Sequence, residues 1–390
     1  MRRLRRRSIG APSSPAPPFR RMTNANIAYQ RLRNQYLSEA TFTKPQEVVQ
    51  WLVAVQAQDF AGAKWSLGLR MQGATDDKIE QAFADGSILR THLMRPTWHF
   101  VTPDDIRWML ALTAPRVHVA NAFMYRKLEL DQSIFTRSND ALGNALQGGK
   151  QLIRNELRDV LDKAGIATAG EFRMGYLMMQ AELEGIVCSG ARRGKQFTYA
   201  LLDERAPHAR VLDREEALAE LARRYFISRG PATVQDFAKW SGLTIADARS
   251  GLEAIKGYFQ QEVVEGQTYW FALSAQVTVT GDEYIAEVTV TYKPTAHLLS
   301  IYDEYISSYK DRSAIGDGRY AERLMAMGNA LTYILIVDSQ IVGTWKRTLK
   351  KDAVVIETNL FTALTEAENL AVAVAAQQYR TFLELPVVLA

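Results

Sequence analysis

Two glutamines and a neighbouring aspartate are the side chains whose types and spacing could do chemistry together. Gln56, Gln58 and Asp59 lie in the segment VQAQDF, directly after an apolar stretch with helical character. Residues i and i+2 point about 200° apart on a helix but to one side of an extended segment. The glutamines can therefore cooperate only if the helix ends or distorts before Gln56.

An amide does not accept a proton usefully at neutral pH, so these glutamines could only position a water and a substrate by hydrogen bonding. That help suffices where the leaving group is already activated. An N7- or N3-alkylated purine carries positive charge, and its glycosidic bond breaks once a water is positioned and the developing sugar cation is stabilised. Excision of a neutral base would favour a carboxylate base, for which Asp59 is the candidate. From these residues alone, solvated polar surface at a helix end is the simpler interpretation.

Other catalytic signatures are absent from the sequence. It contains no GxSxG segment, no P-loop and no HExxH, and its five histidines show no metal-ligand spacing. No segment alternates as strand, helix and strand in the manner of a nucleotide-binding fold. Metal catalysis and phosphate-cradling loops are therefore disfavoured, and we expect no cofactor.

The composition indicates a multidomain globular protein. The 390 residues, 47% of them hydrophobic, are enough for two or three ordinary cores. A single cysteine, Cys188, excludes an intrachain disulfide and suits a reducing compartment. No apolar run approaches the roughly 18 residues that span a bilayer, and the N-terminus lacks the apolar core of a signal peptide. We expect a cytoplasmic, nucleoid-associated protein, with a monomer favoured.

The positive charge is concentrated in the first residues. Seven arginines and no acid lie in residues 1–21, and removing them from the net charge of +4 leaves −3 for the remainder. Residues 1–22 are predicted to be a disordered basic tail. This tail is either a DNA-contacting arm, a simple extension, or the product of a start assigned upstream of Met22. Net charge therefore supports no conclusion about the folded body.

The elements that must position these residues form three similar units. Each is predicted to combine helices with a small pair of strands, in the order of a winged helix. The predicted strand pair ILRTHLMRPTWHFVTP closes the first unit, CSGARRGKQFTYALLD the second, and GYFQQEVVEGQTYWFAL the third. The predicted domains are the first winged-helix unit with the QAQ motif (23–145), the second winged helix (146–210), the third winged helix (211–275) and a C-terminal α+β subdomain (276–390). The fold class is mainly α with small β-sheets.

The helices and wings of such units can contact DNA. The segment TVQDFAKWSGL and the helix after it are typical of a helix-turn-helix, whose second helix can enter the major groove. Arg192, Arg193 and Lys195 lie at the tip of the second wing and are candidate phosphate contacts. Winged helices also bind proteins, and basic turns are often only solvated, so this alternative stays open.

The chain resembles the AlkZ and YcaQ family of winged-helix DNA glycosylases over nearly everything after Met22. The resemblance rests on segments in the same order: RLRNQYL, VAVQAQDFAGAKWSLGLR, LRTHLMRPTWHFVTPDD, SRGPATVQDFAKWSGLT, YDEYISSYKDR and VGTWKR. In that family a Gln-apolar-Gln motif marks the AlkZ-like branch and a Gln-apolar-Asp motif the YcaQ-like branch. Gln56, Ala57 and Gln58 match the former.

The resemblance implies that Gln56 and Gln58 orient the hydrolytic water at a lesion. It also implies three winged helices around a DNA-sized channel, and monofunctional excision of alkylated guanines, crosslinked adducts included, without a lyase lysine. His99 is implied to face the channel, and Trp345 and Arg347 to lie in a turn near DNA. Double-stranded DNA, especially alkylated DNA, is the expected partner.

Structural roles stay open for several of these residues. Arg95 and His99 either contact the substrate or link strands, and Trp345 either contacts DNA or packs in the core. Asp303 and Arg312 are predicted to form an internal ion pair. The leading function is hydrolysis of the N-glycosidic bond of alkylated purines in DNA. The main alternative is a non-catalytic winged-helix DNA-binding regulator, and a third is a protein-interaction scaffold.

Overall fold

A computed structural model describes residues 22–272, 293–316 and 332–389. The basic tail, the strands predicted in AQVTVTG and AEVTVTY, and the stretch RYAERLMAMGNA lie outside these residues. Helix α1 (Asn24–Asn34) opens the described chain, and the side chain of Thr23 caps its first turn.

The first winged-helix unit follows α1. Its elements are α2 (Pro45–Leu52), β1 (Val55–Gln56), α3 (Phe60–Gly68), α4 (Asp76–Asp85), β2 (Leu89–Leu93) and β3 (Thr97–Val101). Pro45 occupies the first turn of α2, where its missing N–H costs no hydrogen bond. Gly86 ends α4 in the left-handed region. The three strands form an antiparallel sheet in the order β1, β3, β2, so the predicted strand pair is confirmed.

The second unit repeats this order. After the long helix α5 (Ile106–Lys127) come α6 (Gln132–Leu146), β4 (Leu152–Ile153), α7 (Arg154–Lys163), α8 (Arg173–Leu183), β5 (Val187–Ser189), β6 (Thr198–Leu201) and α9 (Leu202–Arg205). Its sheet has the order β4, β6, β5. A separate hydrophobic core unites α6, α7 and α8 through Leu142, Leu157 and Leu177. The predicted boundary between residues 145 and 146 stays a prediction, while α6 shares its core with the helices after it.

The third unit contains the predicted helix-turn-helix. Its elements are α10 (Arg214–Arg229), α11 (Val234–Ser241), α12 (Ile245–Ile255), β7 (Phe259–Val264) and β8 (Gln267–Ala272). Gly242 makes the turn between α11 and α12 with φ of 72°, which favours glycine. Trp240 near the end of α11 is fully buried and packs in the core of this unit.

The C-terminal part is a five-stranded sheet covered by one long helix. Its elements are β9 (Ala296–Leu298), α13 (Glu304–Ser307), β10 (Tyr333–Val337), β11 (Gln340–Leu349), β12 (Val354–Leu360), α14 (Glu366–Leu383) and β13 (Val387–Leu389). The strand order is β13, β12, β11, β10, β9. Tyr379 of α14 contacts both Trp345 of this sheet and Trp65 of α3, so the sheet shares a core with the first unit.

Candidate active site

Gln56 and Gln58 lie in the non-helical segment between α2 and α3. Helix α2 ends at Leu52, and Val53 takes a φ of 65°, a conformation that a β-branched residue rarely adopts and that breaks the helix. The chain then enters β1, where Gln56 lies opposite His99 of β3. The helix therefore ends before the motif, as cooperation between the glutamines requires.

Gln56 is held on both its backbone and its side chain. Its backbone N–H donates to Oε1 of Glu304 at 2.9 Å, and its own Oε1 accepts from Nη2 of Arg95 at 3.3 Å. The residue is only 8% exposed. Among the described residues no hydrogen-bond partner contacts its amide nitrogen, so two N–H donors stay available for a bound molecule.

Gln58 is exposed beside Gln56 and is also fixed by β3. Its Oε1 accepts from the backbone N–H of Trp98 at 3.3 Å, and the N–H of the intervening Ala57 donates to the carbonyl of Trp98 at 2.7 Å. The amide oxygen of Gln58 therefore has a defined position at the protein surface.

Asp59, which is next to Gln58 in the chain, also has a structural role. Its side chain caps α3 by accepting from the N–H of Gly62 at 3.2 Å, and it accepts from the hydroxyl of Tyr333 at 2.9 Å. Arg347 lies over the Tyr333 ring at 5.5 Å, which brings it to this cluster as well. Both carboxylate oxygens of Asp59 therefore already accept a hydrogen bond from the protein.

His99 is a fully buried neutral imidazole behind Gln56. Burial, with the charge of Arg95 adding to it, lowers the pKa of His99 to about 3. Nδ1 lies 3.0 Å from the carbonyl of Thr97, which assigns the proton to Nδ1. Nε2 is then an acceptor that is buried and has no hydrogen-bond partner within the described residues.

Glu304 supports the site from 248 positions away in the chain, and the sequence did not reveal it. Its Oε2 accepts from Arg229 at 2.8 Å, Trp240 at 2.9 Å and Ser308 at 2.7 Å. Burial alone would raise the pKa of Glu304, but Arg229 and these hydrogen bonds lower it to about 2. The available signal was the pair of adjacent acids, Asp303 and Glu304, between the tyrosines of the segment YDEYISSY.

Arg90 and Trp98 also belong to the site although the sequence analysis did not select them. The guanidinium of Arg90 lies between the rings of Trp98, at 4.3 Å, and Phe197, at 4.5 Å. Its Nε donates to the carbonyl of Ala57 at 3.0 Å, between the two glutamines. Burial lowers the pKa of Arg90 to about 10. The signal was the alternation along β2, which places Arg90 on the same face as His92.

The second wing presents fewer free cations than its sequence indicates. Arg192 folds back onto the first unit, where Nη1 lies 3.2 Å from Glu80 and the guanidinium lies 5.2 Å from the Phe60 ring. This corrects its predicted position as a free phosphate contact. Arg193 is exposed but pairs with Glu156 at 2.8 Å, and Lys195 is exposed.

Two C-terminal predictions are also corrected. Trp345 is 2% exposed and donates to the carbonyl of Leu299 at 2.9 Å, so it packs in the core and does not reach DNA. The predicted pair of Asp303 with Arg312 is wrong. Asp303 instead forms a buried bidentate pair with Arg70, at 2.9 and 3.0 Å, because α3 packs against this segment.

The described part of the chain contains neither a candidate metal site nor a candidate membrane-spanning helix. Within residues 22–272, 293–316 and 332–389, no group of three or more histidine, cysteine, aspartate or glutamate side chains could hold a metal ion. Within the same residues, no helix is long and apolar enough to cross a membrane.

The fold and the site together define a class. Tandem winged-helix units are combined with two glutamines and a buried neutral imidazole at the small sheet of the first unit, which is the architecture of a winged-helix protein. The model of the AlkZ-like DNA glycosylase family matches residues 49–382. The chain therefore belongs to the AlkZ-like family, and it is a DNA glycosylase.

The relatives agree with this assignment. The chain is 24% identical over 328 residues to an interstrand DNA cross-link repair glycosylase from Streptomyces sahachiroi, covering 81% of this chain and 85% of the relative. It also resembles the solved structure of DNA glycosylase AlkZ from the same organism, with a TM-score of 0.75 at 21% identity. That match covers 95% of this chain and 100% of the other. The structural likeness confirms the predicted mixed fold of helices and small sheets.

Proposed function

We propose that this enzyme hydrolyses the N-glycosidic bond of N7-alkylated purines in duplex DNA, including purines joined in interstrand crosslinks. The observation that carries the proposal is that the β2–β3 hairpin holds the amide oxygens of both Gln56 and Gln58, beside Asp59, whose two oxygens already accept hydrogen bonds. The relative from Streptomyces sahachiroi, whose name specifies cross-link repair, supports the extension to crosslinks.

The proposed mechanism follows from what amides can do. Gln56 and Gln58 hold a water by hydrogen bonds and direct it at the anomeric carbon of the target nucleotide. Each side-chain carbonyl oxygen keeps a second lone pair beside the one that accepts from Arg95 or Trp98, and this lone pair stabilises the positive charge that develops on the sugar. The alkylated base carries a positive charge and leaves as a neutral molecule, so no general acid is required. The reaction ends with a free neutral base, an abasic site and one proton from the attacking water, which is released to solvent.

The geometry around the glutamines supports this role by keeping their amides in place. Arg95 holds Oε1 of Gln56, the Trp98 N–H holds Oε1 of Gln58, and Glu304 holds the backbone of Gln56. Pre-organised groups accelerate a reaction because they need no rearrangement when the charge develops. His99 contributes a neutral acceptor behind Gln56, where a protonated imidazole would oppose the sugar cation.

The test is base release from duplex DNA that contains N7-methylguanine, a bulkier N7 adduct, or an N7-linked interstrand crosslink. We expect the Gln56→Ala, Gln58→Ala double variant to release base about 10²–10³-fold more slowly than wild type, because a pre-organised polar group is lost. Gln50→Ala is the matched control, since Gln50 is exposed on the preceding helix. Equal release by wild type and the double variant on all three substrates contradicts the proposal.

A further inference from the structure

Three cationic side chains meet at the seam beside Gln56. Arg95 comes from the turn between β2 and β3, Lys239 from α11, and Arg312 from the segment after α13. Nη1 of Arg95 donates to the carbonyls of Lys239 and Trp240 at 3.1 and 2.8 Å, which fixes the turn against the helix-turn-helix. The cluster therefore combines the first unit, the third unit and the C-terminal part.

No carboxylate forms a hydrogen bond or an ion pair with Arg95, Lys239 or Arg312 within the described residues. The partners of its cationic groups within the described residues are uncharged oxygens: the carbonyls just named and Gln56 for Arg95, the Tyr309 carbonyl at 2.8 Å for Lys239, and the Ile306 carbonyl at 3.1 Å for Arg312. Within the described residues, Lys239 uses one of its three N–H donors, and the terminal nitrogens of Arg312 use none of theirs. Several N–H donors of the cluster therefore have no acceptor in this part of the chain.

The nearest carboxylates do not neutralise the cluster. Glu304 attracts Arg95, but its oxygens are occupied by Arg229 and its other donors. Asp236 attracts Lys239, but it accepts from the N–H groups of Lys310 and Thr233. Partial burial, with the charges of Arg312 and Arg95, lowers the pKa of Lys239 to about 8. The cations repel one another, and a bound anion would remove that repulsion.

We propose that Arg95, Lys239 and Arg312 bind one backbone phosphate of the DNA strand, adjacent to the nucleotide from which the base is removed. This inference rests on the proposed function, because it takes Gln56 to mark the position of the target sugar. Arg95 contacts Gln56 directly, and only the sugar separates an anomeric carbon from the phosphates of its nucleotide. Three unneutralised cations here would oppose the developing sugar cation, whereas a phosphate between them offsets that conflict.

The test uses the full-length protein and a duplex with a stable abasic-site analogue, so that binding is measured without catalysis. The affinity of wild type is compared over a range of salt concentrations with Lys239→Met, Arg312→Gln and the double variant. Lys256→Met is the matched control, because Lys256 is an exposed lysine of the same unit that pairs with Glu253. Thermal unfolding confirms that each variant is folded, and Lys239→Arg should restore binding.

Because both side chains hold the same phosphate, the double variant should reduce the salt slope by about 1 and not by the 2 expected for separate phosphates. In a second series, neutral methylphosphonates replace the phosphates around the analogue one at a time. One position should weaken binding by wild type but leave the double variant unaffected. An unchanged slope, a loss of 2, or equal sensitivity of both proteins at every position overturns the inference.

Competition by inorganic phosphate distinguishes the source of the anion. Two results together show that the site binds a DNA phosphate. Inorganic phosphate must weaken DNA binding by wild type more than by the double variant, and a methylphosphonate at one position must weaken binding by wild type only. Competition without any such position assigns a free anion and contradicts the DNA contact. Base release measured in parallel separates the proposals: its absence refutes the glycosidic mechanism, while the binding results still decide whether the phosphate site exists.

Discussion

The first and second winged-helix units have the same order of elements and the same strand order. They differ in whether the first strand or the wing carries the candidate functional residues. In the first unit, Gln56 is the last residue of the initial strand β1 and Gln58 follows it, and the wing is only the short turn between Leu93 and Thr97. In the second unit, β4 ends at Ile153 directly before α7, and the wing of residues 190–197 extends outward.

The packing of the two wings explains this difference. A side-chain carbon on Gly242 would lie only 2.2 Å from the carbonyl oxygen of Met94, so the first wing fits tightly against the turn of the helix-turn-helix. The wing of the first unit therefore packs against another part of the protein, and the candidate site lies at its first strand, β1. The second unit has its own core and presents the tip of its wing, Arg193 to Gln196, to solvent.

The largest effect should come from removing the carboxylate that anchors the first unit. Glu304→Gln leaves the buried guanidinium of Arg229 without its counter-charge, and we expect a loss of about 3–5 kcal/mol in the free energy of unfolding. Denaturant unfolding measures it, with the exposed Glu215→Gln as control. A loss no larger than the control's would show that the pair does not hold the first unit in place.

The pH dependence of stability should also report on the first unit. The pKa of His99 is about 3 in the folded protein, compared with an ordinary value of 6.5. Between these two pH values the unfolded chain therefore binds a proton at His99 that the folded protein does not bind. Stability should fall as the pH drops from about 6.5 towards 3, by about 1.4 kcal/mol per pH unit for this proton. His99→Gln should reduce that slope by one proton, whereas an unchanged slope would argue against a buried neutral imidazole.

The fit of the first wing can be tested by comparing two glycines. Gly242 and Gly266 both adopt a left-handed φ, of 72° and 77°, but no atom lies near a side-chain carbon at Gly266. Alanine should cost about 1–2 kcal/mol at both positions because of the φ angle, and a further 1–3 kcal/mol at Gly242 because of the contact with Met94. Equal unfolding free energies for the two variants would mean that the first wing is not tightly docked.

The smallest effects on stability should occur in the second wing, where DNA binding changes instead. The Arg193→Ala, Lys195→Ala double variant should reduce the salt slope of duplex binding by up to about 2. Arg192→Ala should leave that slope unchanged but lower stability by about 1 kcal/mol, because its guanidinium contacts Phe60 and Glu80. The reverse pattern would contradict the inward position of Arg192.

The sequence predicted the elements with clear local signals and missed those without them. Proline and glycine positions, with the helical and strand periods, identified α2, α4 and the paired strands. Helix α6 escaped because QSIFTRSNDALGNAL contains many residues of low helix propensity. The segment DDIRWMLALTAPR predicts a helix only as far as Arg116, whereas α5 continues past Pro115 to Lys127 under the constraint of tertiary packing.

For the site, the sequence by itself determined the winged-helix order, the Gln-Ala-Gln motif and the family to which the chain belongs, because these depend on short-range patterns and on residues adjacent in the chain. Only the tertiary structure decided that Glu304 anchors Gln56, that Asp303 pairs with Arg70, that Trp345 is buried and that Arg192 folds inward. Each of these contacts joins distant parts of the chain. Which of these contacts form depends on which surfaces of the chain pack together and exclude water. No local sequence pattern specifies that packing.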